Sequence, residues 1–267
     1  MRKALLLLAV ALAGNPALSE DGVPLEQTKF TEEELEAAQR NPGAFEIDPS
    51  RVRLTYIGRA GPDEVPPGPE PRSVGTAAID PWTIINIGKE VWRIIEANRP
   101  VVDIKQSFAT AMPGGTTHWS QLTGWSPAAG DVYELEAGNF WGWPVIKVRF
   151  QVLRISGGTY GGVGKYLTMV TTEPQLVEVF WGYRFSMEGE VPKETVLNAG
   201  GPGAPLGALT HKLKWRINTA IKEMRGSHVY YMQGDGVFRQ IGSPNIEPGP
   251  ARHFRLPEDA PRVPAWE

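Results

Sequence analysis

Between residues 101 and 238 apolar and polar side chains alternate with a period of two, and this feature narrows the possible folds more than any other. Successive side chains of a strand point to opposite faces, so alternation marks segments with one dry face and one wet face. The clearest run is Val177, Val179, Trp181, Tyr183, Phe185 and Met187, set against Glu178, Gly182, Arg184, Ser186 and Glu188, with Phe180 breaking the pattern. Ile146, Val148, Phe150 and Val152 alternate with Lys147, Arg149 and Gln151. Leu209, Leu213, Trp215 and Ile217 alternate with Thr210, Lys212, Lys214, Arg216 and Asn218. Shorter strands are expected at 102–109, 133–140, 166–172 and 228–233, separated by turns such as Gly161-Gly162-Val163-Gly164. Parallel sheets covered on both faces read as continuous apolar runs, so one-sided alternation predicts antiparallel pairing. The expected fold is all-β, an antiparallel β-sandwich of about eight strands. A single curved sheet wrapped on a helix is the nearest competitor.

Two helices are expected ahead of the strands. Thr31-Glu32-Glu33-Glu34 has capping-box spacing and predicts a short N-terminal helix to Arg40, stopped by Asn41-Pro42-Gly43. Pro62, Pro66, Pro67, Pro69 and Pro71 then describe an extended linker. Asp80-Pro81 carries an N-cap and a proline at the first helical position, followed by residues that separate into two faces at 100° spacing. Ile84, Ile85, Ile87, Val91, Trp92, Ile94 and Ile95 fall on one side, which predicts an amphipathic helix packed on the sandwich and ended by Asn98-Arg99-Pro100. Beyond Phe238 frequent prolines exclude a helix or a central strand and suggest a tail. The expected organisation is a signal peptide (1–19), a helix with a Pro-rich linker (20–79), a helix and β-sandwich domain (80–238), and a Pro-rich tail (239–267).

The N-terminus has the anatomy of an export signal. Arg2 and Lys3 precede an apolar run from Ala4 to Ala13, and Ala17-Leu18-Ser19 supplies small residues for cleavage before Glu20, with cleavage after Ala13 the alternative. The run is roughly half the ~20 residues that a spanning helix needs, so a cleaved peptide and a secreted or periplasmic product are expected, with no transmembrane helix afterwards. The chain has no cysteine, which removes disulfides, thiolate metal sites and thiol catalysis together. A formal net charge of −3 opposes binding to a phosphate backbone, so nucleic acid is not an expected partner.

No catalytic pattern is expected. Gly161-Gly162-Val163-Gly164-Lys165 resembles a phosphate loop only superficially, since Thr159 and Tyr166 stand where that motif needs Gly and Ser or Thr. His118, His211, His228 and His253 lie in separate segments without the spacing of a shared metal site. Gly124-Trp125-Ser126-Pro127 lacks the second glycine of a nucleophile elbow. Glu134 with Glu136, and Glu188 with Glu190, share strand faces but fit a solvated surface equally well. The expectation is therefore no catalytic residue, no metal and no cofactor.

Tryptophan remains. Trp119, Trp125, Trp141 and Trp143 fall in or beside glycine-containing turns, where exposed indoles can stack on sugar rings or enter a partner's pocket. They also suit the closed end of a sandwich core. The expectation is an exported, non-enzymatic binding or structural protein that engages a glycan, peptide or protein partner through these turns or a sheet face. A secreted hydrolase with a loop-assembled site and a small outer-membrane barrel are the alternatives.

Overall fold

The computed structural model describes residues 30–61, 78–96, 99–100 and 107–251. The segment expected to be a signal peptide (1–19), most of the Pro-rich linker and residues 252–267 lie outside them. Helix α1 (Glu32–Arg40) begins at the expected capping box: the Thr31 amide donates to Glu34 Oε2 at 2.8 Å, and the Glu34 amide donates to Thr31 Oγ1 at 3.2 Å. A four-residue helix, α2 (Pro42–Phe45), follows with proline at its first position. Arg184 donates to Glu34 Oε2 at 2.8 Å, and Ala38, Phe45 and Ala220 form a small separate core beneath. The helix start is thus bound to the strands as well as capped.

The strands form two antiparallel sheets, as the alternation requires. One has the order β1-β6-β7-β8-β5-β2, from β1 (Arg53–Arg59), β2 (Asp80–Ile85), β5 (Ala109–Gly114), β6 (Ala129–Gly138), β7 (Pro144–Tyr160) and β8 (Val163–Val179). The other runs β13-β12-β11-β9-β3-β4, from β3 (Val91–Glu96), β4 (Arg99–Pro100), β9 (Tyr183–Glu190), β11 (Gly207–Thr219), β12 (Lys222–Gln233) and β13 (Phe238–Ala251), with β10 (Leu197–Asn198) beside β11. The strands outnumber the expected eight because β1, β2, β3 and β13 form in segments expected to be linker, helix and tail, and the run from Val177 to Met187 is divided between β8 and β9. Tyr133, Leu135, Val148 and Phe150 from the first sheet meet Phe185, Leu213, Trp215 and Tyr230 from the second in one buried core. Among the described residues neither sheet's strand order closes on itself.

Three expectations are corrected. The amphipathic helix from Asp80 is instead β2 and β3 joined by a turn. Isoleucine is stiff at χ1 and favours strands, and Gly88 would cost a helix about 1 kcal/mol at mid-length. Asn86 also competes for the backbone, its Oδ1 accepting from the amides of Gly88 at 3.0 Å and Thr110 at 2.8 Å. Asp80 does cap, but a turn: its carboxylate accepts from the Trp82 amide at 3.0 Å and Thr83 Oγ1 at 2.6 Å. The run from Val177 to Met187 is two strands in different sheets, β8 and β9, because Gly182 (φ +82) reverses the chain after Phe180. The segment after Phe238 is not a free tail but β13, paired with β12 on the sheet edge where prolines are tolerated. The strand expected at 102–109 lies mostly outside the described residues, which resume in time for β5 at Ala109.

The glycine cluster after Tyr160 is a hairpin turn, not a phosphate loop. Tyr160 pairs with Val163, leaving Gly161 (φ +57) and Gly162 (φ +79) as the two-residue connection that right-twisted strands favour. His211 is a core residue: it is buried, stacks on Trp92 with ring centroids 5.2 Å apart, and shares a 2.8 Å hydrogen bond between Nε2 and Thr172 Oγ1. Burial drives its pKa down to about 4, only partly opposed by the Glu190 backbone. His228, which accepts from Trp215 Nε1 at 3.1 Å, is likewise pushed down to about 4 by burial.

Candidate functional site

Two turns reach the same end of the sandwich. One joins β6 to β7 and is built on Asn139, a buried residue whose side chain saturates the turn from within. Asn139 Oδ1 accepts from the Trp143 amide at 2.9 Å, its own amide donates to the Trp143 carbonyl at 3.0 Å, and its Nδ2 donates to the Ala44 carbonyl at 3.1 Å. Gly142 (φ +86) supplies the left-handed residue that this closure requires. The other turn joins β8 to β9 and carries Phe180 and Trp181, and its Phe180 amide donates to the Val145 carbonyl at 3.0 Å. The two turns are therefore hydrogen-bonded neighbours.

Helix α2 wedges between them. The Phe45 ring meets Trp181 edge-on at 5.9 Å and stacks on Tyr183 at 6.3 Å, while the Tyr183 hydroxyl donates to the Ala44 carbonyl. On the other side the Trp141 indole lies so close to Gly43 that a Cβ there would stand 2.9 Å from its Nε1. Trp141 and Trp143 meet edge to face, with centroids 5.2 Å apart at 84°. Despite these supports the rings stay wet: Phe140 is 53%, Trp141 50%, Trp143 56%, Phe180 64% and Trp181 53% exposed. These turns thus hold large aromatic rings in fixed positions while leaving about half of each ring accessible.

The four tryptophans singled out from sequence do not come together. Trp141 and Trp143 belong to this end, whereas Trp119 and Trp125 lie on the loop before β6, beyond the opposite end of a ten-residue strand, about 33 Å away at 3.3 Å per residue. There the Trp125 ring covers Gly158, where a Cβ would stand 2.3 Å from it, and Trp125 Nε1 donates to the Trp119 carbonyl at 3.3 Å. Both are part-buried and fasten that loop to the β7–β8 hairpin. Sequence alone does not single out Phe180 and Trp181, because the alternation places Trp181 on a buried face. The broken phase at Phe180 and the following Gly182 were the signals of a turn.

Beside the aromatic end lies a shallow groove of about 380 Å³, lined by Ser50, Arg51, Arg53, Glu136, Gly138 and Gly142 among others. Its wall is the short turn Pro49–Arg51, capped by Asp48 Oδ1, which accepts from the Ser50 amide at 2.9 Å and Ser50 Oγ at 2.7 Å. Those two bonds, with lesser help from Arg51, hold the Asp48 carboxyl below its ordinary pKa. The Asp48 amide donates to the Gly138 carbonyl at 3.0 Å, which ties this turn to the tryptophan turn. The groove opens onto a cross-strand rank of alternating charge, Arg53 opposite Glu136, Glu136 opposite Lys147 and Lys147 opposite Glu178.

Among the described residues no group of three or more His, Asp or Glu side chains could hold a metal ion. Glu134 and Glu136 face cations. Burial works to raise the Glu134 pKa, but Arg149 at 2.7 Å and Lys147 at 3.4 Å outweigh it and hold the carboxyl below its usual range. Glu136 lies 3.6 Å from Lys147. No protein-family model, curated protein or solved structure matches the chain.

Proposed function

We propose that this is an exported, non-enzymatic binding protein that engages its partner through the aromatic end formed by Phe140, Trp141, Trp143, Phe180 and Trp181. The observation that carries the reading is the exposure of all five rings, each at least half accessible, on turns fixed by Asn139, Gly182 and α2. A fold that needed these rings for its core would have buried them, as it buries Phe150, Phe185 and Tyr230. Tryptophan dominates binding hot spots because it offers a large rigid area at small entropic cost. Partners compatible with such a surface are a glycan, a peptide or another protein. The excess of acidic over basic residues speaks against nucleic acid. Export rests on the segment 1–19 with its basic, apolar and small-residue regions.

The test is a glycan-array and pull-down screen of the chain from Glu20 onward, beside W141A/W143A and W119A/W125A. The reading predicts that W141A/W143A keeps its circular dichroism and melting temperature and loses its partner, while W119A/W125A is destabilised. An unfolded W141A/W143A protein would make those indoles structural and remove the reading's support.

A further inference from the structure

We propose that the aromatic end inserts into the headgroup boundary of a zwitterionic lipid bilayer, so that this chain attaches peripherally to membranes. This rests on the reading of that end as a binding surface and takes it to a partner of another class. The tips carry no charge: Asn139-Phe140-Trp141-Gly142-Trp143-Pro144, Phe180-Trp181-Gly182 and Pro42-Gly43-Ala44-Phe45 contain no Asp, Glu, Lys or Arg. Their exposed side chains are aromatic rings and prolines, which can enter the acyl boundary without the cost of burying a charge.

A turn can enter that boundary cheaply only where its own polar groups are satisfied within the protein, because little water is left to satisfy them. These turns meet the condition. The Phe140 amide donates to the Glu46 carbonyl at 3.2 Å, the Gly142 amide to the Asn139 carbonyl at 2.9 Å and the Phe180 amide to the Val145 carbonyl at 3.0 Å. The Trp143 amide donates to Asn139 Oδ1 at 2.9 Å, and Asn139 Nδ2 is spent on the Ala44 carbonyl at 3.1 Å. The Tyr183 hydroxyl donates to the same carbonyl. What the tips chiefly present is therefore ring surface, edged by the indole N–H groups of Trp141, Trp143 and Trp181. Indoles of this kind settle at headgroup depth, with the ring toward the acyl chains and the N–H toward phosphate and ester oxygens.

Shape, area and charge favour a bilayer over a sugar or a protein. None of the five rings lines the neighbouring groove, so they project outward and leave a small ligand no enclosing wall. At about half of 150–250 Å² apiece, the rings expose roughly 500 Å² together. That falls short of the ~800 Å² that each side of a stable protein pair buries. Behind the tips, charges stand in opposite pairs: Arg51 with Asp48 at 3.3 Å, Lys147 with Glu136 at 3.6 Å and Arg184 with Glu34 at 2.8 Å. These pairs leave neither sign in surplus, which suits the balanced headgroups of a zwitterionic lipid and gives an anionic one no added hold.

The experiment mixes the chain from Glu20 onward with vesicles of phosphatidylcholine and phosphatidylethanolamine, with and without phosphatidylglycerol, at low and high salt. Flotation measures binding, and tryptophan quenching by lipids brominated at different depths measures insertion. The protein should float with the neutral vesicles whatever the salt or phosphatidylglycerol content, and the shallowest bromines should quench most. W141A/W143A and F180S/W181S, with unchanged circular dichroism, should each need about tenfold or more lipid for the same binding. If neither variant folds, the depth profile of the parent protein decides. No flotation, flotation without quenching, binding that requires phosphatidylglycerol or is lost at high salt, or undiminished binding by both folded variants overturns the assignment. Capture of a glycan or protein in place of vesicles also overturns it, but leaves the aromatic end as a binding surface if folded W141A/W143A loses that partner. Folded W141A/W143A that keeps vesicles and every captured partner alike would instead overturn the reading beneath it.

Discussion

Acidification from pH 7.5 to 4.5 should destabilise this fold strongly, through two histidines that the core keeps neutral. His211 and His228 are buried, and desolvation pushes each pKa down to about 4 from an unfolded value of 6.5. The unfolded chain therefore binds more protons between these limits, and stability must fall as pH drops through that window. The two-site linkage relation gives a loss of about 1 kcal/mol per histidine at pH 5.5 and about 2 to 3 kcal/mol per histidine at pH 4.5. The pair together removes about 5 kcal/mol, a large share of the 5–15 kcal/mol typical of a domain. Below pH 4 the contribution is fully lost, and the remaining acid sensitivity belongs to carboxylates such as Asp48, Asp80 and Glu134, whose pKa values are lowered. The assay is urea denaturation at several pH values from 7.5 to 4.5, for the parent chain and for H211Q and H228Q. Glutamine can keep one hydrogen bond but cannot titrate, so each variant should show about half the parent's slope against pH. A parent whose stability is flat from pH 6.5 to 4.5 would refute the burial argument.

Further predictions concern the supports of the aromatic end and the core. Gly182→Ala forces a φ of +82 on an L side chain and drives its Cβ to within 2.3 Å of the Phe45 ring, so it should cost about 2 kcal/mol or more by denaturant midpoint. A variant as stable as the parent would contradict this packing. Asp131→Ala leaves Arg154, whose Nη1 lies 2.6 Å from Asp131 Oδ2 with both side chains buried, without its counter-charge. The expected loss is about 3–5 kcal/mol, whereas Asp131→Ala with Arg154→Met should recover much of it. A double variant no better than the single one would mean that the Arg154 charge is not the source of the cost.

How much of this could be read from the chain depends on whether a pattern had one physical interpretation. Val148, Phe150 and Val152 alternate with cations and a glutamine, which only a half-buried strand satisfies, and they lie in β7 with their side chains in the core. Thr31 and Glu34 were equally legible because a capping box is complete within four residues. Residues 80–97 were not, since Ile84, Ile85, Ile87, Val91, Trp92, Ile94 and Ile95 fit a helical stripe as well as two strands. What decided the matter is remote in sequence: β2 pairs with β5 and β3 with β9. Any Cβ at Gly88 would stand 1.8 Å from the Phe108 carbonyl oxygen.

The candidate site divides in the same way. Trp141 and Trp143 were legible as turn tryptophans, but their separation from Trp119 and Trp125 depends on the length of β6 and on which strand ends coincide. Phe180 and Trp181 join the first pair only because Gly182 sends the chain from one sheet to the other. Arg51 and Arg53 carried no local motif at all. Their proximity to Gly142 and Glu136 follows from the β1–β6 register and the Asp48-capped turn, both long-range consequences of folding.

Hydroxyl-radical footprinting of the intact chain, alone and with whatever partner the capture screen returns, bears most directly on the aromatic end as the binding surface. Free protein should label strongly at Phe140, Trp141, Trp143, Phe180 and Trp181, and the partner should protect those five while leaving Trp119, Trp125 and Tyr56 unchanged. Weak labelling of these rings in the free protein, or protection confined to other residues, would contradict the account.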